Sequence, residues 1–136
     1  MTLAIHKESA EVGSPLSWNI HGQTQDNETL AWDDVWEFSS TAPVPYDEWF
    51  NLQIEISEGD NESGHVAMHL TDQNGTRWTL IDETVWTHHP GDPSPDGIQS
   101  FNPMKLYTSG ALLAQIPEGR ALVVLWDNFT LYGYLD

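Results

Sequence analysis

The chain has no cysteine, so disulfides and thiolate metal sites are excluded and the redox compartment is left open. Cations are nearly missing too. Lys7, Arg77, Lys105 and Arg120 stand against 21 carboxylates, for a formal net charge of -17. Such a surface repels phosphate, which argues against nucleic acid as a partner, and it repels anionic lipid and uronate-rich polymers as well. No stretch approaches the ~18 consecutive apolar residues of a membrane-crossing helix, so no membrane span is expected. The segment TLAIHKESAEVGS after Met1 lacks an apolar stretch flanked by positive charge, so it is not expected to be a signal peptide.

What the chain does have is aromatic mass. Seven tryptophans among 136 residues, with 39% apolar residues, argue against disorder, because a disordered chain cannot bury enough apolar surface to fold. The length fits one domain with a sizeable core. The carboxylates are scattered rather than gathered in a tail, which suits a solvated face, cationic or neutral ligands, or a salty medium that screens self-repulsion.

Apolar residues recur with period two rather than 3.6. Phe50, Leu52, Ile54 and Ile56 alternate with Asn51, Gln53 and Glu55, which predicts a half-buried strand. After the polar link SEGDNES, Val66, Met68 and Leu70 alternate with His65, Ala67 and His69 in a second strand. DQNGT at residues 72–76 carries the Asn-Gly hairpin signal, and RWTLID returns as a third strand of an antiparallel meander. LAWDDVWEF at residues 30–38 reads as another strand and VGSPLSWNIH at 12–21 as a fainter one, with Pro43 and Pro45 punctuating the approach to Phe50. Downstream, THHPGDPSPDGIQS at 87–100 is an irregular loop by its prolines and glycines, and MKLY is a short strand. Thr108 or Ser109 caps a short helix ending before Pro117, and ALVVLWDNFTLYG at 121–133 is the most strand-like run of all. The expectation is all-β: one antiparallel β-sandwich of jelly-roll type over residues 1–136, with at most one short helix. Phe50, Ile54, Val66 and Met68 are expected in the core, with Trp49, Trp78 and Trp126.

Three pieces, VPYDEWFNLQIEI, GHVAMHLTDQNGTRWTLID and LWDNFTLYG, together with the loop after Trp86, resemble concanavalin A-like jelly rolls. That superfamily holds lectins, glucanases, polysaccharide lyases and carbohydrate-binding domains. The resemblance implies a carbohydrate ligand on the polar sheet face, an extracellular location, and a structural calcium ion near the aspartate of the closing strand, here Asp127.

If the link after Ser57 folds the second strand back on the first, Asn51, Gln53, Glu55, His65 and His69 share one face, with cross-strand neighbours about 5 Å apart. Amide, carboxylate and imidazole together suit hydrogen bonding to sugar hydroxyls; the competing reading is a plain solvated face. Trp86 and Tyr107 are the candidate aromatic platforms for a sugar ring, though Trp86 can equally plug the end of the sandwich. His65 and His69 lie roughly 13 Å apart along a strand, too far for one ion. His88 and His89 with Asp92 and Asp96 offer zinc donors, but at no recognised spacing. Calcium suits the carboxylate-rich loops better, although no EF-hand pattern is present.

Enzyme signatures are weak. In WDDVWEF, Trp32 stands where a retaining glucanase needs its first glutamate, and Asp33 and Glu37 would sit at about twice the ~5–5.5 Å that retaining chemistry requires. A lyase reading has only Gln53, His65, His69, Lys105 and Tyr107 to draw on, and the net charge opposes a polyanionic substrate. The favoured expectation is noncatalytic binding of a neutral glycan. A small lyase or glycosidase, and a structural domain with no small ligand, are the alternatives.

Overall fold

A computed structural model describes residues 1–88 except 10, 12, 27 and 46, together with residues 118–120, 123 and 125–133. The chain divides into two compact units, Met1–Ser100 and Phe101–Asp136. The first holds six strands: β1 (Thr2–Lys7), β2 (Leu16–Gln25), β3 (Trp32–Ser40), β4 (Phe50–Ser57), β5 (His65–Asp72) and β6 (Arg77–Thr84). They form two three-stranded antiparallel sheets, ordered β1-β2-β3 and β4-β5-β6, so every sheet neighbour is also a chain neighbour. Among the described residues there is no helix. The expected antiparallel β-sandwich is the observed class.

Alternation builds the core. Trp18 and Ile20 of β2 meet Val66, Met68 and Leu70 of β5, with Leu80 and Ile81 of β6, Ala42 and Val85 completing one buried cluster. Leu52, Ile54, Ile56 and Trp78 pack on it from sheet two, and Leu3, Trp36 and Phe38 from sheet one. Val66 and Met68 are fully enclosed, as expected. Phe50 lies at the margin, exposed but edge-on to Trp18 with ring centroids 6.3 Å apart.

Trp49 and Trp126, expected inside, are instead exposed. Trp49 stands just before β4, in step with the exposed Asn51 and Gln53 rather than with the inward Leu52 and Ile54. Trp18 is in the core and Trp36 and Trp78 pack against it, Trp78 as expected; Trp18 Nε1 donates to Pro43 O (3.1 Å) and Trp36 Nε1 to Trp86 O (2.7 Å). The second bond ties β3 of one sheet to the segment leaving β6 of the other. Trp36 lies against Gly22, its partner in register, and any Cβ at position 22 would overlap the indole.

Both sheets carry a bulge. In sheet one the register shifts between Gly22 and Gln23, leaving Val35 unpaired; in sheet two it shifts between Met68 and His69, leaving Leu80 unpaired. The second bulge lets consecutive residues Leu80 and Ile81 both reach the core.

Aspartates close the hairpins. Asp26 Oδ1 accepts from Glu28 N, Thr29 N and Thr29 Oγ1, and Asp60 Oδ1 accepts from Glu62 N, Ser63 N and Ser63 Oγ, so DNET and DNES are one local motif used twice. Asp72 Oδ1 accepts from Asn74 N and Thr76 N, and Gly75, at φ +83°, takes the left-handed position of the turn. Hydrogen bonds from Thr29 and Glu28 hold the Asp26 carboxyl below its usual range; those from Glu62 and Ser63 do the same for Asp60. For Asp72, desolvation pushes upward, but hydrogen bonds from Thr76 and Asn74 together outweigh it and the carboxyl is again lowered.

In the second unit, the described residues of the run 121–133, namely 123 and 125–133, hold no strand, contrary to the strand expected there. Asn128 sits at φ +53°, which interrupts an extended run, and among the described residues no neighbouring strand completes a ladder with it. The strand at 104–107, the helix at 108–115 and the loop beyond His88 lie outside the described residues.

Candidate functional site

The outer face of β4–β5–β6 collects the polar residues that alternate with the core. Asn51 pairs with Thr71, Gln53 with His69, Glu55 with Ala67, and Ser57 with His65. On the other side of β5, His69 pairs with Thr79, Ala67 with Asp82 and His65 with Thr84. Asn51, Gln53, Glu55, His65 and His69 therefore share one face, with Gln53, His69 and Thr79 in a row across three strands.

Side-chain hydrogen bonds fix this row. Gln53 Nε2 donates to Glu55 Oε1 (2.5 Å), His69 Nδ1 and Thr79 Oγ1 share a bond of 3.1 Å, and His65 Nε2 and Asp82 Oδ1 lie 2.9 Å apart. Each partner restricts its neighbour's rotamers, so the face is ordered before any ligand arrives. His69 uses Nδ1 internally, which leaves Nε2 for a ligand. Ala67 is the one small side chain of the central strand here; it is buried, flanked in register by Glu55 and Asp82.

Thr79 and Asp82 escaped the sequence reading. Strict alternation places Thr79 opposite His69 and was available from the Asn-Gly hairpin. It also points Ile81 outward and Asp82 inward, and only the bulge at Leu80 reverses them.

Trp86 lies past the end of β6 and is half-buried. Its ring stacks on His88 at 4.4 Å, its Nε1 donates to His88 O (2.6 Å), and its carbonyl receives the Trp36 indole. One ring face is thus covered. Tyr107 and Lys105 lie outside the described residues, as do His89, Asp92 and Asp96. Asp127 belongs to the second unit, where it is exposed and its Oδ1 accepts from Asn128 N (2.8 Å). Among the described residues no three His, Asp or Glu side chains converge to hold a metal ion.

The outer face of the other sheet is polar as well. Asn19 Nδ2 donates to Glu37 Oε1 (2.6 Å), and His21 Nδ1 lies 3.4 Å from Asp34 Oδ1. Two of the three carboxylates of WDDVWEF, Asp34 and Glu37, are therefore engaged with separate partners on β2.

No protein-family model, curated protein or solved structure matches the chain.

Proposed function

We propose that this protein is a noncatalytic binding domain for a neutral glycan, and that the outer face of β4–β5–β6 is its site. The observation that carries this reading is the three-strand row of Gln53, His69 and Thr79, held by internal hydrogen bonds and open to solvent. Amide, imidazole and hydroxyl groups exchange hydrogen bonds with sugar hydroxyls in either direction, and Asn51 and His65 extend the row along the strands. The net charge of -17 favours neutral over uronic acid polymers. The resemblance to concanavalin A-like sandwiches supports the same reading, along with an extracellular setting.

The test is affinity electrophoresis and calorimetry against xylan, mixed β-glucan and polygalacturonate. The wild type binds a neutral polymer; Gln53→Ala and His69→Ala each weaken that binding by about 2- to 12-fold, the worth of one hydrogen bond. Their melting temperatures stay near the wild type, because both side chains face outward. If neither change affects binding to any polymer, the domain is structural. If product appears in a reducing-end or unsaturated-uronide assay, it is an enzyme.

A further inference from the structure

The β2–β3 hairpin ends in two large apolar side chains that the fold does not use. Leu30 is 66% exposed and Trp32 62% exposed, and Val35, the unpaired residue of the bulge, is exposed nearby in β3. Neither Leu30 nor Trp32 belongs to the core cluster or packs against it. Leu30 moreover stands at φ +58°, a left-handed conformation that costs a γ-branched residue free energy and that Gly or Asn would adopt more easily.

The tip is nevertheless firmly built. Leu30 N donates to Asp26 O (2.9 Å), Asp26 N to Ala31 O (2.9 Å), and Gln25 Nε2 to Leu30 O (3.1 Å), while the Asp26 carboxylate holds Glu28 and Thr29. Both backbone polar groups of Leu30 are satisfied, so the apolar pair is presented on a rigid support, the arrangement that lowers the entropy cost of association. Glu28 and Asp33 flank the pair in sequence, Asp26 is bound into the turn and Asp34 lies beside His21, and none of the chain's four cations falls in this hairpin. An apolar centre with a charged margin is the anatomy of a protein interface, and the sign of the margin selects the sign of the partner.

We propose that the β2–β3 tip docks a partner protein, Leu30 and Trp32 entering an apolar pocket rimmed by Lys and Arg side chains. The site is separate from the β4–β6 face and does not depend on glycan binding there. Anionic membranes are disfavoured by the same carboxylates.

The chemistry can be tested with β-cyclodextrins, which offer an apolar cavity with a rim of chosen charge. The full chain is titrated with the aminated, neutral and sulfated forms while the Trp32 indole and Leu30 methyl NMR signals are followed. The expected order is aminated over neutral over sulfated, with about tenfold between the first two at low salt, narrowing as salt screens the rim. Leu30→Ser and Trp32→Ala each abolish the preference without lowering the melting temperature, whereas Gln53→Ala retains it, which separates this site from a glycan site on the other sheet. The proposal is overturned if Trp32 and Leu30 do not shift, if all three rims bind alike, or if the tip binds phosphatidylcholine vesicles and ignores the aminated cavity.

Discussion

Replacing Gly22 with alanine is the sharpest probe of how the two sheets are tied together. A glycine inside a strand normally weakens it, and alanine there would restrict the unfolded chain and stabilise by about 0.4–1 kcal/mol. Here the added Cβ overlaps the Cε2, Nε1 and Cζ2 atoms of Trp36. These atoms belong to a rigid ring, held at one end by the bond from Nε1 to Trp86 O and flanked by Phe38 with centroids 6.0 Å apart. To make room the indole must tilt, which weakens that bond and leaves the Trp86 carbonyl poorly satisfied, at a cost of about 1–3 kcal/mol. Overpacking of this kind costs a similar amount, so the steric effect outweighs the entropic gain and Gly22→Ala loses about 1–3 kcal/mol net. Urea unfolding of four proteins (wild type, Gly22→Ala, Trp36→Val and the double variant) measures it. The loss caused by Gly22→Ala should vanish or reverse in the Trp36→Val background, because the ring it strikes is gone. If Gly22→Ala is as stable as the wild type, or if its cost is the same with valine at position 36, the packing account of this tie is wrong.

Other consequences follow from the same structure. Met68→Ala should lose about 2–5 kcal/mol in denaturant unfolding, whereas Trp49→Ala, which removes an exposed ring, should stay within about 0.5 kcal/mol. The carboxyls of Asp26, Asp60 and Asp72 are lowered in the folded state, so the stability they confer is complete above about pH 4, the ordinary carboxylate value, and is lost as pH falls through their folded values. A thermal-melt series from pH 7 to 2 should therefore show a smaller acid loss in Asp60→Asn than in the wild type. Salt should raise the melting temperature between low and moderate sodium chloride by screening a net charge of -17. A further drop on adding chelator at constant ionic strength, abolished by Asp127→Ala, would establish the structural calcium that the resemblance implies, and no drop would dismiss it.

The second sheet was legible because its sequence states the same pattern at every level. FNLQIEIS alternates without a break, HVAMHL repeats the period, and a glycine turn joins them to RWTLID, so the shared face of Gln53 and His69 followed from counting. β1 was not legible: TLAIHK is short, half-exposed along most of its length, and gains its strand geometry from pairing with β2 rather than from its own alternation. Bulges defeat counting by nature, since one unpaired residue at Leu80 inverts the faces of everything after it in β6. The tryptophans divided by strand position. Trp18 and Trp36 sit on inward-facing positions of β2 and β3, while Trp49 falls in step with the exposed Asn51 and Gln53 and stays in water. The matching DNET and DNES loops went unread in the sequence, because a shared tetrapeptide pattern is too short to register as an internal repeat.

The central claim, a neutral glycan bound on the outer face of β4–β5–β6, is tested most directly by amide NMR mapping. Isotope-labelled protein is titrated with xylo- and cello-oligosaccharides, and the shifted amides are placed on the strands. The account predicts a contiguous set centred on Gln53, His69 and Thr79 and extending to Asn51 and His65, with the inward-facing Ile54 and Met68 little changed. Shifts gathered on β1–β3 instead, or no saturable shift with any neutral oligosaccharide, would contradict it.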